Sequence, residues 1–244
     1  MLMDFEKELL SRAEWVKDIL AEAGADGVVL GLSGGKDSAL AAIICRMATP
    51  SVTGIIMPCE SSRNYSKDKA NALLLAEKFD VKTLEVDLTP VKKAFREQVE
   101  GLDENQNPMA YANMNPRLRM ITLYNYAQRK NYLVCGTGNR SEALMGYFTK
   151  WGDGAYDFNP IGDLTVREIY KLLTFAECPE EIIKEPPSAA LFEGQTDEGE
   201  MGITYDEIDE YILNGSATET AREKIETASK RAEHKRTLGR VYPD

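Results

Sequence analysis

The stretch Gly31-Leu32-Ser33-Gly34-Gly35-Lys36-Asp37-Ser38 stands between the apolar run Val28-Val29-Leu30 and the helix-forming run Ala39-Leu40-Ala41-Ala42-Ile43-Ile44. This order predicts a strand, a glycine turn and a helix N-terminus, and a chain containing it is pushed toward alternating strands and helices. The N–H groups of a first helical turn lack intrahelical partners and lie at the positive end of the helix dipole, so an anion there gains donors and field together. Glycines let the backbone approach such a ligand. Asp37 adds a condition, because a carboxylate beside a phosphate cradle is repulsive unless a divalent cation bridges the two.

The spacing is not that of a P-loop, which needs four residues between its first glycine and its Gly-Lys and then a Ser or Thr. Here three residues separate Gly31 from Gly35, and Asp37 follows Lys36. Forty acidic against 29 basic residues leave a net charge of -11, which argues against a broad footprint on a nucleic-acid backbone. A few cations focused in a cleft can still serve small anions. The four cysteines, Cys45, Cys59, Cys135 and Cys178, form no C-x-x-C pair and suggest neither a zinc ribbon nor a disulfide framework. No apolar run approaches the ~20 residues of a membrane span, so a soluble, cytoplasmic protein without a membrane partner is expected.

Apolar periodicity predicts helices over 4–23, 66–79, 90–100 and 116–130, with strands over 52–57, 81–86 and 132–135. Alternation of this kind implies an α/β fold, a doubly wound parallel sheet flanked by helices, and we expect one domain spanning 1–244. Ligands of such sheets sit beyond the carboxyl ends of the strands, at the switch in strand order. Further helices are expected over 165–174, 205–213 and 216–234, and loops over 101–113 and 186–201.

A second constellation, Gly136-Thr137-Gly138-Asn139-Arg140-Ser141-Glu142, follows a strand and opens a helix. This brings Thr137 and Glu142 to the same sheet edge as the first loop. Magnesium commonly takes one or two protein carboxylates together with waters and phosphate oxygens, so Asp37 and Glu142 are the candidate Mg²⁺ ligands. The lesser alternative for Glu142 is a first-turn acid complementing the helix dipole.

Ser-Gly-Gly-x-Asp-Ser resembles the signature of the ATP pyrophosphatases, which implies ATP-driven adenylation of a substrate oxygen with release of pyrophosphate. The strings Gly146-Tyr147-Phe148-Thr149-Lys150-Trp151-Gly152-Asp153-Gly154, Gly136 to Glu142, Asn113-x-x-Pro-Arg117-x-Arg119-Met120, Lys184-Glu185-Pro186-Pro187-Ser188-Ala189, Gly202-Ile203-Thr204-Tyr205-Asp206-Glu207-Ile208-Asp209 and His234-Lys235-Arg236 narrow the likeness. Together they are similar to the NAD synthetases, from about residue 28 to about residue 236 and in family order. The resemblance implies an adenine nucleotide alpha hydrolase-like fold. It also implies ammonia-dependent conversion of deamido-NAD to NAD, with ATP as co-substrate and Mg²⁺. By the same likeness Gly31, Leu32, Ser33, Gly34, Gly35, Lys36, Asp37, Ser38, Thr137 and Ser188 bind ATP. Arg117, Lys150, Asp157, His234 and Lys235 bind deamido-NAD, and Asp37, Glu142 and Lys150 carry the chemistry. Family members are homodimers, so a homodimer is expected.

His234 is the single histidine of the chain. Alone it reads as a solvated residue near a helix end, and its neighbours Lys235 and Arg236 are what raise it. One departure stands out: where the family has a lysine after Leu-Thr, this chain has Val166 after Leu164-Thr165. Lys36 and Arg167 are the candidates to replace that cation. No cysteine stands in a context resembling a glutamine-hydrolysing nucleophile, so free ammonia, or ammonia from a separate partner, is the expected nitrogen source. A tRNA-modifying or GMP-forming ATP pyrophosphatase, and a nucleotide sensor without turnover, are the competing readings.

Overall fold

The computed structural model describes residues 4–60, 65–102, 105, 107–185, 197–237, 239, 241 and 242. Its centre is β1 (Gly27–Gly31), buried along nearly its whole length, as a strand covered on both faces must be. Side chains alternate in direction along a strand. Val28 and Leu30 therefore join one hydrophobic cluster, with α1 and α2, while Val29 joins another on the opposite face with Ile55, Met57, Ala127 and Val134.

The helix α1 (Phe5–Ala23) is capped by the Asp4 carboxylate, which accepts from Lys7 N at 3.1 Å. It buries Leu9, Ala13, Val16 and Leu20 and stops at Gly24, whose φ of 60° is left-handed. The helix α2 (Lys36–Ala48) follows the glycine loop and is buried along most of its length. Then come β2 (Val52–Ile56), α3 (Tyr65–Phe79), β3 (Lys82–Glu85), α4 (Thr89–Gln98), α5 (Pro108–Ala112), α6 (Met114–Lys130) and β4 (Tyr132–Val134). All pairings are parallel and the strand order is β3-β2-β1-β4. The chain runs outward from β1 to β3 and returns to lay β4 on the other side of β1, with Val28 between Val52 and Leu133. The switch point thus lies between β1 and β4, and the loops leaving both strands meet there. The expected α/β doubly wound sheet is observed.

The remaining helices are α7 (Arg140–Met145), α8 (Val166–Phe175), α9 (Glu180–Ile183), α10 (Asp197–Met201), α11 (Tyr205–Asn214) and α12 (Glu219–Ala232). Val166, Ile203, Tyr205, Ile208, Ala221 and Ile225 form a smaller third cluster among them. Two boundaries depart from expectation for local reasons. The stretch 101–113 contains α5, started by Pro108 at its first turn, where proline lacks only a donor that would be orphaned anyway. The last helix begins at Glu219, because the Thr218 side chain accepts from Ala221 N at 3.2 Å and caps it, and it ends in a 3₁₀ turn over Glu233–Lys235. Of the expected loop 186–201, residues 186–196, with Ser188, lie outside the described residues, and the rest is α10. No helix among the described residues is long and apolar enough to cross a membrane.

Candidate active site

The loop leaving β1 is tied to itself by two serines. Ser33 Oγ and Ser38 Oγ are 3.0 Å apart, Ser38 Oγ donates to Gly35 O at 3.0 Å, and Gly35 N donates to Ser33 Oγ at 3.3 Å. Gly34 has φ +84°, and a Cβ there would stand 2.1 Å from Asp68 O, so only glycine fits between the loop and α3. Gly35 is the N-cap of α2 and supplies no side-chain cap, which leaves the first-turn N–H groups to a ligand. Beside this loop Asn71, buried on α3, has its Nδ2 without a hydrogen-bond partner among the described residues.

The loop forms one wall of a cavity of about 490 Å³, which is also lined by Met57–Glu60 beyond β2, by Gly136, Thr137, Gly138 and Glu142 beyond β4, and by Arg119 and Lys235. Every candidate residue from 31 to 38 lies in this wall, together with Thr137, Glu142 and Lys235. Thus the convergence inferred from strand order is present.

Asn139 links the two candidate metal ligands. Its Nδ2 donates to Asp37 Oδ1 at 3.0 Å, its Oδ1 accepts from Glu142 N at 2.9 Å, and its N–H donates to Glu142 Oε2 at 3.1 Å. The last two bonds are a capping box for α7. Glu142 therefore fills the helix-terminus role through one oxygen, and its other oxygen makes no hydrogen bond to a described residue. Burial, then the neighbouring Asp37, pushes the Glu142 carboxyl up to about 8. A half-buried pair of carboxylates such as this one repels itself unless a cation accompanies it. Here Lys36 Nζ lies 2.6 Å from Asp37 Oδ2. Burial opposes the charge on Lys36, yet Asp37 and Glu142 hold its ammonium above the usual lysine range.

Of the two candidates to replace the cation missing at Val166, Lys36 lies in the cavity wall. Its Nζ is 5.6 Å from the centre of the Tyr205 ring, and Val166 packs in the same cluster as Tyr205. Arg167 points elsewhere, pairing with Asp206 at 3.4 Å and Glu210 at 3.3 Å on α11.

The candidates Arg117, Lys150, Asp157 and His234 do not line the cavity. Three of them form a chain outside it: Arg117 donates to Lys150 O at 3.4 Å, and Lys150 Nζ donates to His234 O at 2.5 Å. Asp157 accepts from Val134 N at 2.7 Å and from the Tyr124 hydroxyl at 3.2 Å, beside the end of β4. Lys235 Nζ reaches inward to Gly146 O and Phe148 O, each at 2.9 Å. Several neighbours escaped sequence reasoning. Asn139 and Arg119 stood in quoted motifs without a role, and Asp197, which accepts from the Tyr205 hydroxyl at 2.9 Å, fell within an expected loop. Only the N-cap preference of asparagine before Arg140-Ser141-Glu142 was a usable signal for the first.

The family model described as NAD synthase matches residues 8–239. A relative from Carboxydothermus hydrogenoformans, an NH(3)-dependent NAD(+) synthetase, is 40% identical over 243 residues, covering 99% of each chain. Among solved structures, an NMN synthetase from Francisella tularensis superposes with a TM-score of 0.91 at 35% identity, covering 100% of both chains. An NH3-dependent NAD synthetase from Campylobacter jejuni superposes with a TM-score of 0.81 at 30% identity, covering 99% of this chain and 100% of that one.

Proposed function

The chain belongs to the NAD synthase family, and from that premise we propose that it is an ammonia-dependent NAD synthetase acting as one domain over 1–244. It adenylates the nicotinate carboxylate of deamido-NAD with ATP and amidates the product with ammonia. The observation that carries this reading is the asparagine link between Asp37 and Glu142 at the mouth of the glycine loop.

In this reading the 31–38 loop binds the ATP phosphates through its backbone donors, with Thr137 and Ser188 as further ATP contacts. The pyridine carboxylate attacks the α-phosphorus and pyrophosphate leaves. Ammonia then attacks the acyl carbon, and AMP leaves as the amide forms. The protein contributes orientation and fixed charge more than proton transfer. Arg117, Lys150, Asp157, His234 and Lys235 hold the pyridine nucleotide, Lys150 nearest the chemistry, and a second copy of the chain completes a homodimer.

Asp37 and Glu142 suit a hard divalent cation, since the half-buried pair already draws the Lys36 ammonium and one Glu142 oxygen has no hydrogen-bond partner among the described residues. Mg²⁺, when bound there, would offset the phosphate charge and favour departure of pyrophosphate. Free ammonia rather than glutamine is supported by the cysteines. All four are buried, and burial raises the thiols of Cys59, Cys135 and Cys178, opposite to a thiolate nucleophile. The enzyme works in the cytoplasm.

The likeness to the Francisella NMN synthetase favours a second reading, in which the acceptor is nicotinate mononucleotide and the product NMN. One experiment tests both. Protein, ATP and Mg²⁺ are incubated with deamido-NAD, nicotinate mononucleotide or an equal mixture, with ammonium or glutamine, while amide and pyrophosphate are followed together. Ammonium-dependent formation of NAD, with equal pyrophosphate and no product in the Asp37→Ala variant, is expected. A mixture that yields mainly NMN replaces the first reading with the second, and equal rates with glutamine overturn the nitrogen source.

A further inference from the structure

The cavity contains a cation to which no role has been given. Arg119 lies on α6, two residues from Arg117, and a helix sends residues so spaced in different directions. Arg117 is exposed and reaches Lys150 O, whereas Arg119 is half-buried and lines the cavity. Of its five N–H donors, one is used: Nε donates to Met57 O at 3.2 Å. The two terminal amino groups have no hydrogen-bond partner among the described residues, and no described carboxylate comes within 4.0 Å of them.

The acids whose charge reaches Arg119 make no ion pair with it among the described residues. Asp153 accepts from Thr149 N at 2.8 Å, and burial raises both its carboxyl and that of Asp68. Burial likewise works against the Arg119 charge. The other lysines of the cavity wall are committed: Lys36 to Asp37, Lys69 to Glu85 and Lys235 to two carbonyls. A guanidinium held without an acid costs the folded protein stability, while its planar fork matches phosphate oxygens in geometry and charge.

We infer that Arg119 is a phosphoryl-binding residue, its terminal amino groups taking the anionic oxygens of a phosphate on one of the bound nucleotides. Nε anchors the fork at Met57, just beyond β2, the strand next to β1 and its glycine loop. This rests on the reading that the cavity takes ATP and a pyridine nucleotide.

The test compares wild type with Arg119→Gln and Arg119→Lys in three measurements: the melting temperature without ligand, the melting shift with ATP alone or deamido-NAD alone, and the two KM values. For Arg119→Gln the ligand-free melting temperature should hold or rise, because an unpaired charge is removed. The KM for one nucleotide should rise about 10- to 100-fold, with that nucleotide's melting shift lost, as expected for a hydrogen bond to a charged group. Arg119→Lys should recover part of the loss. A rise confined to ATP assigns its phosphates, and one confined to deamido-NAD assigns the pyridine nucleotide. A lower melting temperature with both KM values unchanged overturns the inference in favour of a structural role.

If Arg119→Gln does not fold, wild-type protein is treated with phenylglyoxal and the modified arginine located by mass spectrometry. Protection of Arg119 by either nucleotide supports the inference, and modification unaffected by both overturns it. Should wild type fail to amidate any pyridine nucleotide, the functional reading falls, while protection by ATP still reports on Arg119.

Discussion

Asn139 Nδ2 donates to Asp37 Oδ1 at 3.0 Å across the switch point of the sheet. A residue that opens the helix after β4 thereby fixes a carboxylate in the first turn of the helix after β1. The same asparagine caps its own helix through the Glu142 backbone N–H, so it serves stability and site geometry by different atoms.

Those two roles separate by substitution. Asn139→Ala should lose about 1 kcal/mol with the cap and about 10-fold or more in kcat with the Asp37 contact. Asn139→Ser, whose short hydroxyl can still cap, should keep most of the stability and show the same kcat loss. Urea unfolding beside steady-state rates decides this, and equal stability losses in the two variants would contradict it.

Gly34→Ala places a methyl against Asp68 O in a left-handed conformation. The conformational cost alone is about 1–2 kcal/mol, and the loop must move from α3 to admit the methyl. A clear fall in melting temperature and loss of the ATP-induced melting shift are expected. An unchanged ATP shift would show that the loop does not form the nucleotide site.

Of the two candidates to replace a lysine at Val166, Lys36 lines the cavity and Arg167 does not. Lys36→Met should raise the KM for ATP several-fold, about 10-fold by the energy of one charged hydrogen bond. Arg167→Ala should leave it unchanged, since that guanidinium lies on Asp206 and Glu210. Initial-rate kinetics with varied ATP give the comparison, and a larger effect at Arg167 would reverse the assignment.

Arg12 clamps α1 to the turn before α8, with NH1 2.6 Å from Asp163 Oδ1, NH2 2.8 Å from Oδ2, and NH1 also 2.6 Å from Pro160 O. The Arg12 hydrogen bond holds the Asp163 carboxyl below its ordinary 3.8. A depressed acid adds stability that is present above its unfolded value and lost as pH falls through the folded value. Wild type should therefore exceed Asp163→Asn by less than about 1 kcal/mol near neutrality, given the exposure of the aspartate. The two should converge below pH 3.8. Urea midpoints from pH 3 to 7 measure this, and a gap that widens toward acid would refute it.

Much of the fold was legible because its signals are local. Val28-Val29-Leu30 is too short and too uniformly apolar for anything but a covered strand when a glycine turn follows, and the spacing of Leu9, Ala13, Val16 and Leu20 marks a helix face. The caps at Thr218 and Asn107-Pro108 were equally local but weaker than the apolar pattern around them, and the boundaries there shifted accordingly.

The sequence by itself determined the strand, turn and helix that line the cavity, the parallel alternation that brings the loops to one edge, and the family, because dihedral preference, side-chain period and motif spacing act over a few residues. Only the tertiary structure decided that Asn139 reaches Asp37, that Arg119 rather than Arg117 faces the cavity, that Arg167 turns away and that Glu142 is buried enough to rise to about 8. Those outcomes depend on the packing of segments up to about a hundred residues apart and on the water their contact excludes. Direction, distance and dielectric at such a site are properties of that packing, which no local pattern records.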